Sequence, residues 1–236
     1  MKPEEFYNIR NIVENKKDKL ELSANARKVL GIIKKHNTGN FLDIGCGDVA
    51  LSRIIANNCD IKEYHGIDIS ESGILEARKH KIIAVKIDVN YENLPYKDNY
   101  FDFVIAGELI EHLFDPDHLF MEAYRVLKPG GHLLLTTPNL GSWHNRLALL
   151  FGYQPHYSEV STKYSVGKFM TTDRFDVSGH LRLFTLRALI QLLKYYKFQV
   201  VLTRSYNAGF LIDRLISNCF PSLGTGLIVL SRKESR

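Results

Sequence analysis

The stretch Phe41-Leu42-Asp43-Ile44-Gly45-Cys46-Gly47, followed by Asp68 in His65-Gly66-Ile67-Asp68, decides the fold of this chain. The apolar run ends at Asp43, and the two glycines allow the backbone to turn tightly against a ligand. Helical periodicity follows over residues 49–56. Asp68 ends a second short apolar segment, where a carboxylate can accept hydrogen bonds from both hydroxyls of a ribose. The pattern therefore predicts a strand, a turn and a helix that bind a nucleoside.

The residue before the turn distinguishes between two classes of cofactor. Gly45-x-Gly47-x-x-Ala50 also satisfies the dinucleotide fingerprint, in which the helix N-terminus faces a pyrophosphate. Asp43 lies two positions before the first glycine, where its negative charge would repel that pyrophosphate. S-adenosylmethionine instead carries a sulfonium and an ammonium group, which carboxylates attract. The sequence therefore favours S-adenosylmethionine over a dinucleotide.

Leu42-Asp43-Ile44-Gly45-Cys46-Gly47 resembles motif I of the class I S-adenosylmethionine-dependent methyltransferases. Three later segments resemble that family's strand-end acid, fourth strand and turn into the fifth strand: Lys86-Ile87-Asp88-Val89, Tyr100-Phe101-Asp102-Phe103-Val104-Ile105-Ala106-Gly107-Glu108, and Arg125-Val126-Leu127-Lys128-Pro129-Gly130-Gly131. The resemblance is close over residues 38–139. It implies a cofactor site made of Asp43, Gly45, Gly47, Asp68, Ile69, Asp88, Val89 and Glu108. Many family members carry a third glycine where this chain has Val49, which we expect to tighten the fit around the methionine moiety.

The strand pattern brings polar residues to one place. Apolar strands are predicted over residues 40–43, 63–67, 82–87, 101–106 and 132–137, and they alternate with helical segments. The polar residues that follow them are Asp43, Asp68, Asp88, Glu108 and the pair Pro138-Asn139. Because ligands of open parallel sheets bind outside the carboxyl ends of the strands, these residues are expected to converge. Taken singly, each acid could instead be a helix N-cap.

The fold expected is α/β, a Rossmann-like doubly wound sheet with a final antiparallel strand and a helical, aromatic cap insertion. At 236 residues the chain suits one domain. Its predicted parts are N-terminal helices (1–37, with one helix carrying Leu22, Ala26, Val29, Leu30 and Ile33), the cofactor-binding core (38–139), the cap (140–180) and a C-terminal part (181–236). The C-terminal part is predicted to contain a helix capped near Thr185 and closing strands at 198–202 and 226–230, which the family resemblance implies form a hairpin. The cap is rich in Trp143, His144, Tyr153, His156, Tyr157, Tyr164 and His180. It is predicted to cover the site and select the acceptor, chiefly through Trp143 and Tyr157; alternatively, it packs on its own aromatics.

The order Glu108-Leu109-Ile110-Glu111-His112-Leu113 resembles a motif of ubiquinone-pathway O-methyltransferases and of small-RNA terminal 2′-O-methyltransferases. The spacing i, i+3, i+4 predicts that Glu108, Glu111 and His112 share one helical face. Three hypotheses follow. In the first, Glu111, His112 and His180 hold a divalent metal; in the second, His112 acts as a metal-free base, with Glu108 and His112 as the candidate catalytic residues. In the third, Glu108 only holds the cofactor, Glu111 caps or pairs locally, and His112 is a satisfied helix histidine.

Composition excludes few classes of protein. With 45% hydrophobic and 24% charged residues, the chain can bury a full core. The net charge of +5 comes from scattered lysines, which favours solvated helix faces over a nucleic-acid footprint. The three cysteines form no paired spacing, Cys46 is interpreted as a space-filling residue, and no signal-like start is evident, so we expect a cytoplasmic protein. Asp213, Arg214 and Pro221 interrupt the most apolar late stretch, so no membrane span is predicted.

The sequence thus predicts an S-adenosylmethionine-dependent methyltransferase whose acceptor is a hydroxyl on a small or lipid-linked metabolite. RNA ribose methylation and a catalytically silent nucleoside-binding module stay open as alternatives. A nicotinamide oxidoreductase is disfavoured by Asp43. The acceptor itself and the oligomeric state are left open by these patterns.

Overall fold

The computed structural model describes residues 24–36, 38–47, 49–169, 177–206 and 211–234. Its strands are β1 (Asn40–Ile44), β2 (Glu63–Asp68), β3 (Ile83–Lys86), β4 (Phe101–Gly107), β5 (Leu127–Pro138), β6 (Phe198–Tyr206) and β7 (Gly226–Lys233). Its α-helices are α1 (Ala24–Ile33), α2 (Val49–Asn58), α3 (Glu71–Lys79), α4 (Pro116–Val126), α5 (Trp143–Leu150), α6 (Leu186–Tyr195) and α7 (Leu211–Cys219). Short 3-10 turns lie at Ile110–His112 and Pro221–Leu223.

The strands form one sheet in the order β3-β2-β1-β4-β5-β7-β6. Strands β1 to β5 pair in parallel, whereas β7 runs antiparallel to both β5 and β6. The predicted α/β fold with a final antiparallel strand is therefore confirmed. Because the chain order reverses direction across the sheet between β1 and β4, the carboxyl ends of these strands flank the crevice where such sheets bind ligands.

The sheet is buried on both faces, which explains the nearly continuous apolar runs of its strands. Along β4, Val104 and Ala106 face a cluster that includes residues of α4 and α6, while Phe103 and Ile105 face residues of α1, α2 and α3. All four side chains are fully buried. Because successive side chains of a strand point to opposite faces of the sheet, β4 contributes to both hydrophobic layers of the core.

Polar caps fix where several helices begin. The Ser70 hydroxyl accepts from the Gly73 amide at the start of α3, and the Asp115 carboxylate accepts from the His118 amide at the start of α4. Thr185 caps α6 through the Ala188 amide, as predicted. Each such cap contributes about 1 kcal/mol by satisfying an amide that the helix leaves without a partner.

Three predicted features differ from the structure. Strand β5 begins at Leu127 instead of residue 132, and β6 continues to Tyr206. Helix α7 separates β6 from β7, so these strands are not joined by a simple hairpin. Residues 1–23, which hold part of the predicted N-terminal helices, lie outside the described residues. The division into domain parts and the cytoplasmic location stay predictions. Among the helices that the structure describes, none is long and apolar enough to cross a membrane.

Candidate active site

A cavity of about 850 Å³ opens at the carboxyl ends of β1, β2 and β4. All the residues that the sequence assigns to the cofactor line it: Asp43, Gly45, Gly47, Asp68, Ile69, Asp88, Val89 and Glu108. Gly45 turns the chain with a φ of +84°, which glycine adopts without strain. The amides of Gly45 and Cys46 both donate to the Ile67 carbonyl, over 2.8 and 3.1 Å, and tie the turn to β2. The structure therefore brings the predicted set together, and its binding of a cofactor stays a prediction.

The Asp68 carboxylate organises the junction between the first turn and α3. Its Oδ2 accepts from the Gly47 amide over 2.7 Å, and its Oδ1 accepts from the Ser70 amide over 2.7 Å. A Cβ on Gly47 would lie 2.6 Å from Oδ2, so position 47 requires glycine. Burial raises the pKa of Asp68, and the hydrogen bonds from the backbone amides oppose that rise. These bonds fix the orientation of a carboxylate that faces the cavity.

Asp43 is 5% exposed and is held by two hydroxyl groups. Ser52 Oγ and the Tyr64 hydroxyl donate to its Oδ2 over 2.6 and 3.0 Å. Burial, reinforced by the charge of Asp43, raises the pKa of Tyr64 well above its ordinary value, so this phenol stays a donor. Sequence reasoning missed both Ser52 and Tyr64, because a lone serine in α2 and a tyrosine in β2 carry no motif.

The Asp88 end of the cavity follows β3. Asp88 Oδ1 accepts from the backbone amide and the side-chain amide of Asn90 over 3.0 and 2.9 Å. Asn90 Oδ1 in turn accepts from the Phe114 amide over 2.8 Å, which joins this loop to the segment after β4. Apolar lining from Ile87 and Val89 lies beside these polar groups. An apolar wall with a few oriented polar groups suits a flat heterocycle such as adenine.

Cys46 fits the space-filling interpretation. Its side chain is buried, and a Cβ on Gly66 would lie only 2.7 Å from its Sγ. Burial, followed by the charges of Asp43 and Asp68, raises the pKa of Cys46 well above its ordinary value. The thiol is therefore a poor nucleophile. The side chain of Val49, predicted to tighten the fit around the methionine moiety, lies outside the described residues.

The expectation that Glu108, Glu111 and His112 share one helical face is wrong. Glu108 lies directly after β4 with a φ of +50°, and only Ile110–His112 forms a 3-10 turn. The two carboxylates consequently have different partners. Glu111 is 1% exposed, and its Oε2 accepts from the Thr137 hydroxyl over 2.9 Å.

The Glu108 carboxylate is held by a tyrosine that sequence reasoning missed. The Tyr206 hydroxyl lies 3.0 Å from Oε1 and 2.9 Å from Oε2 of Glu108. Burial, followed by the charge of Glu108, raises the pKa of Tyr206, so its hydroxyl stays protonated and donates. A Cβ on Gly226 would lie 1.8 Å from the Tyr206 ring, so this glycine in β7 makes room for the ring.

Two histidines meet beside Glu111. The ring centroids of His112 and His180 are 4.9 Å apart, and one ligand atom each from Glu111, His112 and His180 lies within 4.8 Å of the others. His112 Nδ1 is 3.1 Å from the Gly179 carbonyl, and His180 Nδ1 is 3.2 Å from the Tyr157 carbonyl. Because a carbonyl can only accept, both Nδ1 atoms carry hydrogen, and in a neutral ring the lone pair lies on Nε2. The predicted trio is therefore brought together.

The cap contributes to the cavity through two segments, residues 159–163 and 177–181. The Glu159 carboxylate joins them, accepting from the amides of Ser178, Gly179 (2.8 Å) and His180 (3.1 Å). Trp143 and Tyr157, the two aromatics predicted to select the acceptor, make other contacts. Trp143 Nε1 donates to Asp213 of α7 over 3.0 Å, and Tyr157 lies against His180 with ring centroids 5.8 Å apart. Neither is among the residues that line the cavity.

The sheet order, the glycine turn after β1 and the carboxylate after β2 define the cofactor-binding fold of class I methyltransferases. Residues 42–135 match the methyltransferase domain family. The match supports the resemblance to class I S-adenosylmethionine-dependent methyltransferases that the motifs predicted.

Relatives of known name extend the comparison. A phosphoethanolamine N-methyltransferase 3 of Arabidopsis thaliana is 37% identical over 100 residues, which are 40% of this chain and 20% of that protein. A ubiquinone biosynthesis O-methyltransferase of Coxiella burnetii is 33% identical over 103 residues, 42% of this chain and 43% of that protein. The chain thus spans less than half the length of these two relatives. A Thermotoga maritima methyltransferase, described as a possible histamine N-methyltransferase, shares the fold with a TM-score of 0.65 and 20% identity over 97% of this chain and 99% of that chain.

Proposed function

We propose that the protein transfers a methyl group from S-adenosylmethionine to a hydroxyl of a small or lipid-linked acceptor. The observation that carries the proposal is the shared cavity. The predicted cofactor residues line the same space as Glu108, His112 and His180, so a methyl donor bound there would face groups able to take up a proton. Bound S-adenosylmethionine would supply a methyl group that its sulfonium already activates.

The protein's part is to position the reactants and to handle one proton. Asp68 orients the ribose, and Asp43 places negative charge beside the motif I turn. Methyl transfer to a hydroxyl forms a carbon–oxygen bond, breaks the carbon–sulfur bond and releases the hydroxyl proton. Glu108 or His112 Nε2 can accept that proton, since both residues line the cavity. Holding donor and acceptor in line supplies much of the rate.

The charge of the cavity favours this acceptor class over RNA. Five carboxylates line its described part: Asp43, Asp68, Asp88, Glu108 and Glu159. Among the described lining residues, Lys163 is the single lysine or arginine. A nucleic-acid backbone brings a negative charge at every phosphate and needs basic partners. Within the described lining of the cavity, a nucleic-acid backbone would therefore meet five carboxylates and a single cation.

The cofactor assignment is tested by calorimetry on the full chain. S-adenosylmethionine or its demethylated product should bind, and NAD should not compete. Asp68→Ala should weaken that binding by about 1.5 to 3 kcal/mol because the ribose hydroxyls lose a charged acceptor. Asp60→Ala, at an exposed acid before β2, is the matched control. Tight binding of NAD that depends on Asp68 would overturn the assignment.

The acceptor is tested with methyl-labelled cofactor. Incubation with fractions of cell extract should label a molecule through an alkali-stable methyl ether. A labelled amine would instead show N-methylation, the reaction named for two of the similar proteins. Labelled RNA, with binding that weakens steeply in salt, would favour ribose methylation. Cofactor binding without any labelled product would support the silent binding module.

We also propose that Glu111, His112 and His180 can hold a divalent metal ion. These side chains suit such an ion, since one carboxylate and two imidazoles are ligands that zinc and manganese accept. The contacts of both Nδ1 atoms with backbone carbonyls support this proposal, because metal-binding histidines usually donate their second nitrogen in this way. A metal there would supply a Lewis acid that lowers the pKa of an acceptor hydroxyl.

A chelator separates this proposal from metal-free base catalysis. Turnover lost on chelation and restored by one ion, together with loss of metal binding in His180→Ala, would support the metal. Turnover that survives chelation but falls in His112→Ala would support His112 as the base. If neither chelation nor His112→Ala lowers turnover, catalysis depends on positioning alone.

A further inference from the structure

Exposed apolar side chains are concentrated in the cap. Among the described residues, ten of the nineteen well-exposed large hydrophobic side chains lie between residues 140 and 181, a segment that holds less than a fifth of those residues. They are Leu147, Leu149, Leu150, Phe151, Tyr153, Val160, Tyr164, Val166, Phe169 and Leu181. Scattered exposed hydrophobics are ordinary, but a concentration of this kind marks an interaction surface.

Several of these side chains cluster locally. Leu147, Leu150 and Phe151 are spaced i, i+3, i+4 at the end of α5, and Leu150 and Phe151 are 74% and 72% exposed. The Tyr153 ring packs on Phe169 with centroids 5.3 Å apart. The Gln154 amide donates to the Gly167 carbonyl over 2.8 Å, which joins the two cap segments that carry Tyr153 and Phe169.

Exposed apolar side chains also lie at the mouth of the cavity. Phe114, Val160 and Leu181 line the cavity, yet they are 50%, 61% and 52% exposed. The rim of the opening therefore carries apolar side chains from three different parts of the chain. We name these three residues, together with the exposed apolar side chains of the cap, the apolar rim.

Charge around the apolar rim is positive. Over residues 143–169 the chain carries three cations, Arg146, Lys163 and Lys168, and one acid, Glu159. The Glu159 carboxylate accepts from three backbone amides and is thus directed into the cap. A surface of aromatic and aliphatic side chains with peripheral lysine and arginine is typical of proteins that lie on anionic membranes.

We propose that the apolar rim docks on the surface of an anionic phospholipid bilayer. The charge pattern favours this partner over a second copy of the chain, because a twofold contact would bring the basic patches of both copies against each other. Docking would bring the cavity mouth to the lipid surface, where an amphiphilic acceptor could enter directly. That consequence rests on the proposed function, whereas docking itself does not.

The test is co-sedimentation of the full chain with vesicles of phosphatidylcholine, with and without about 30 mol% phosphatidylglycerol. We expect binding to the anionic vesicles that weakens with salt. Phe151→Ser should lower the partition coefficient about tenfold, because a large apolar side chain no longer leaves water. Arg146→Gln should lower it about fivefold. The matched controls Tyr195→Ser, at a side chain 82% exposed on α6, and Arg187→Gln on the same helix should leave it unchanged.

Thermal unfolding of each variant distinguishes loss of docking from loss of folding. Cofactor calorimetry on the same variants distinguishes failure of the proposed methyl transfer from failure of docking. Absence of sedimentation with either vesicle would overturn the proposal. So would vesicle binding that Phe151→Ser and Tyr195→Ser reduce equally. Light scattering that shows a dimer dissociated by Phe151→Ser, without vesicle binding, would assign the apolar rim to self-association instead.

Discussion

Glu108 combines backbone strain with a fixed side chain. Its φ of +50° is unfavourable for a residue with a Cβ, at a cost of about 1 kcal/mol or more. The amide of Glu108 donates to the carbonyl and to the hydroxyl of Thr136 over 3.0 and 3.1 Å, which holds the residue in that conformation. At the other end, Tyr206 holds the carboxylate. A strained residue with both ends fixed is expected where geometry matters for function.

Tyr206→Phe tests whether this support serves catalysis. The variant keeps the ring beside Gly226 but removes the donor to Glu108, so we expect turnover to fall about tenfold while cofactor affinity changes less than about twofold. A shifted pH–rate profile should accompany the loss, because a carboxylate without its hydroxyl partner takes up a proton more readily. Steady-state kinetics across pH, with Tyr195→Phe as the control, make the measurement. Unchanged turnover, or lost affinity alone, would show that Tyr206 is only structural.

The contrast between Asp68 and Tyr206 shows what a single sequence can predict about residues. Asp68 is recognisable because it ends an apolar segment at a fixed distance from the glycine turn. Tyr206 lies 98 residues after Glu108 and is brought to it only by the antiparallel return of β7 and β6. Local patterns contain no information about that pairing. The same applies to Thr137 and Glu111, which meet across the site.

At the scale of elements, the parallel half of the sheet was predictable because its strands are buried on both faces and read as apolar runs. The beginning of β5 was missed because Lys128-Pro129-Gly130-Gly131 reads as a turn, although the structure includes it in the strand. Helix α7 was missed because Asp213 interrupts its apolar pattern. In the structure, Asp213 is 1% exposed and accepts from Trp143 and Thr225, so its charge is satisfied inside the protein.

The Trp143 to Asp213 bond predicts how the cap is attached to the fold. Trp143→Phe keeps the aromatic volume but removes the indole donor, which leaves the buried Asp213 with fewer partners. We expect the free energy of unfolding to fall by about 1 to 3 kcal/mol, with cofactor affinity unchanged. Urea unfolding makes the measurement, and Tyr164→Phe at an exposed position is the control. Loss of acceptor turnover without loss of stability would show that Trp143 contributes to the acceptor site.

At the scale of the whole molecule, charge is divided between the inside of the site and the outside of the cap. The cavity is rich in carboxylates, while residues 143–169 of the cap carry three cations, Arg146, Lys163 and Lys168. A positively charged cofactor and a negatively charged surface are thus attracted to different parts of the molecule. The net charge of +5 alone could not distinguish this arrangement from a nucleic-acid footprint, because it says nothing about position.

Stability should depend on pH through a histidine on the sheet. His132 lies 4.5 Å from His36, ring centroid to ring centroid, and is paired with Arg232 in the sheet. Burial, followed by these two neighbours, lowers the pKa of His132 to about 4. The unfolded chain therefore binds a proton at a higher pH than the folded protein does. Stability is then lost as the pH falls from about 6.5 towards 4.

Urea unfolding at pH values near 7 and near 5 tests this dependence, since this histidine should stay neutral in the folded state at both. Because His132 is only half-buried, solvent screening reduces its share, and we expect it to account for about 1 kcal/mol of the loss. His132→Phe cannot take up the proton and should lose correspondingly less stability on acidification. Burial raises the pKa of Asp68 and gives a dependence of opposite sign, but this contribution is common to parent and variant and cancels in their difference. Equal losses in the parent and in His132→Phe would show that other groups govern the acid response.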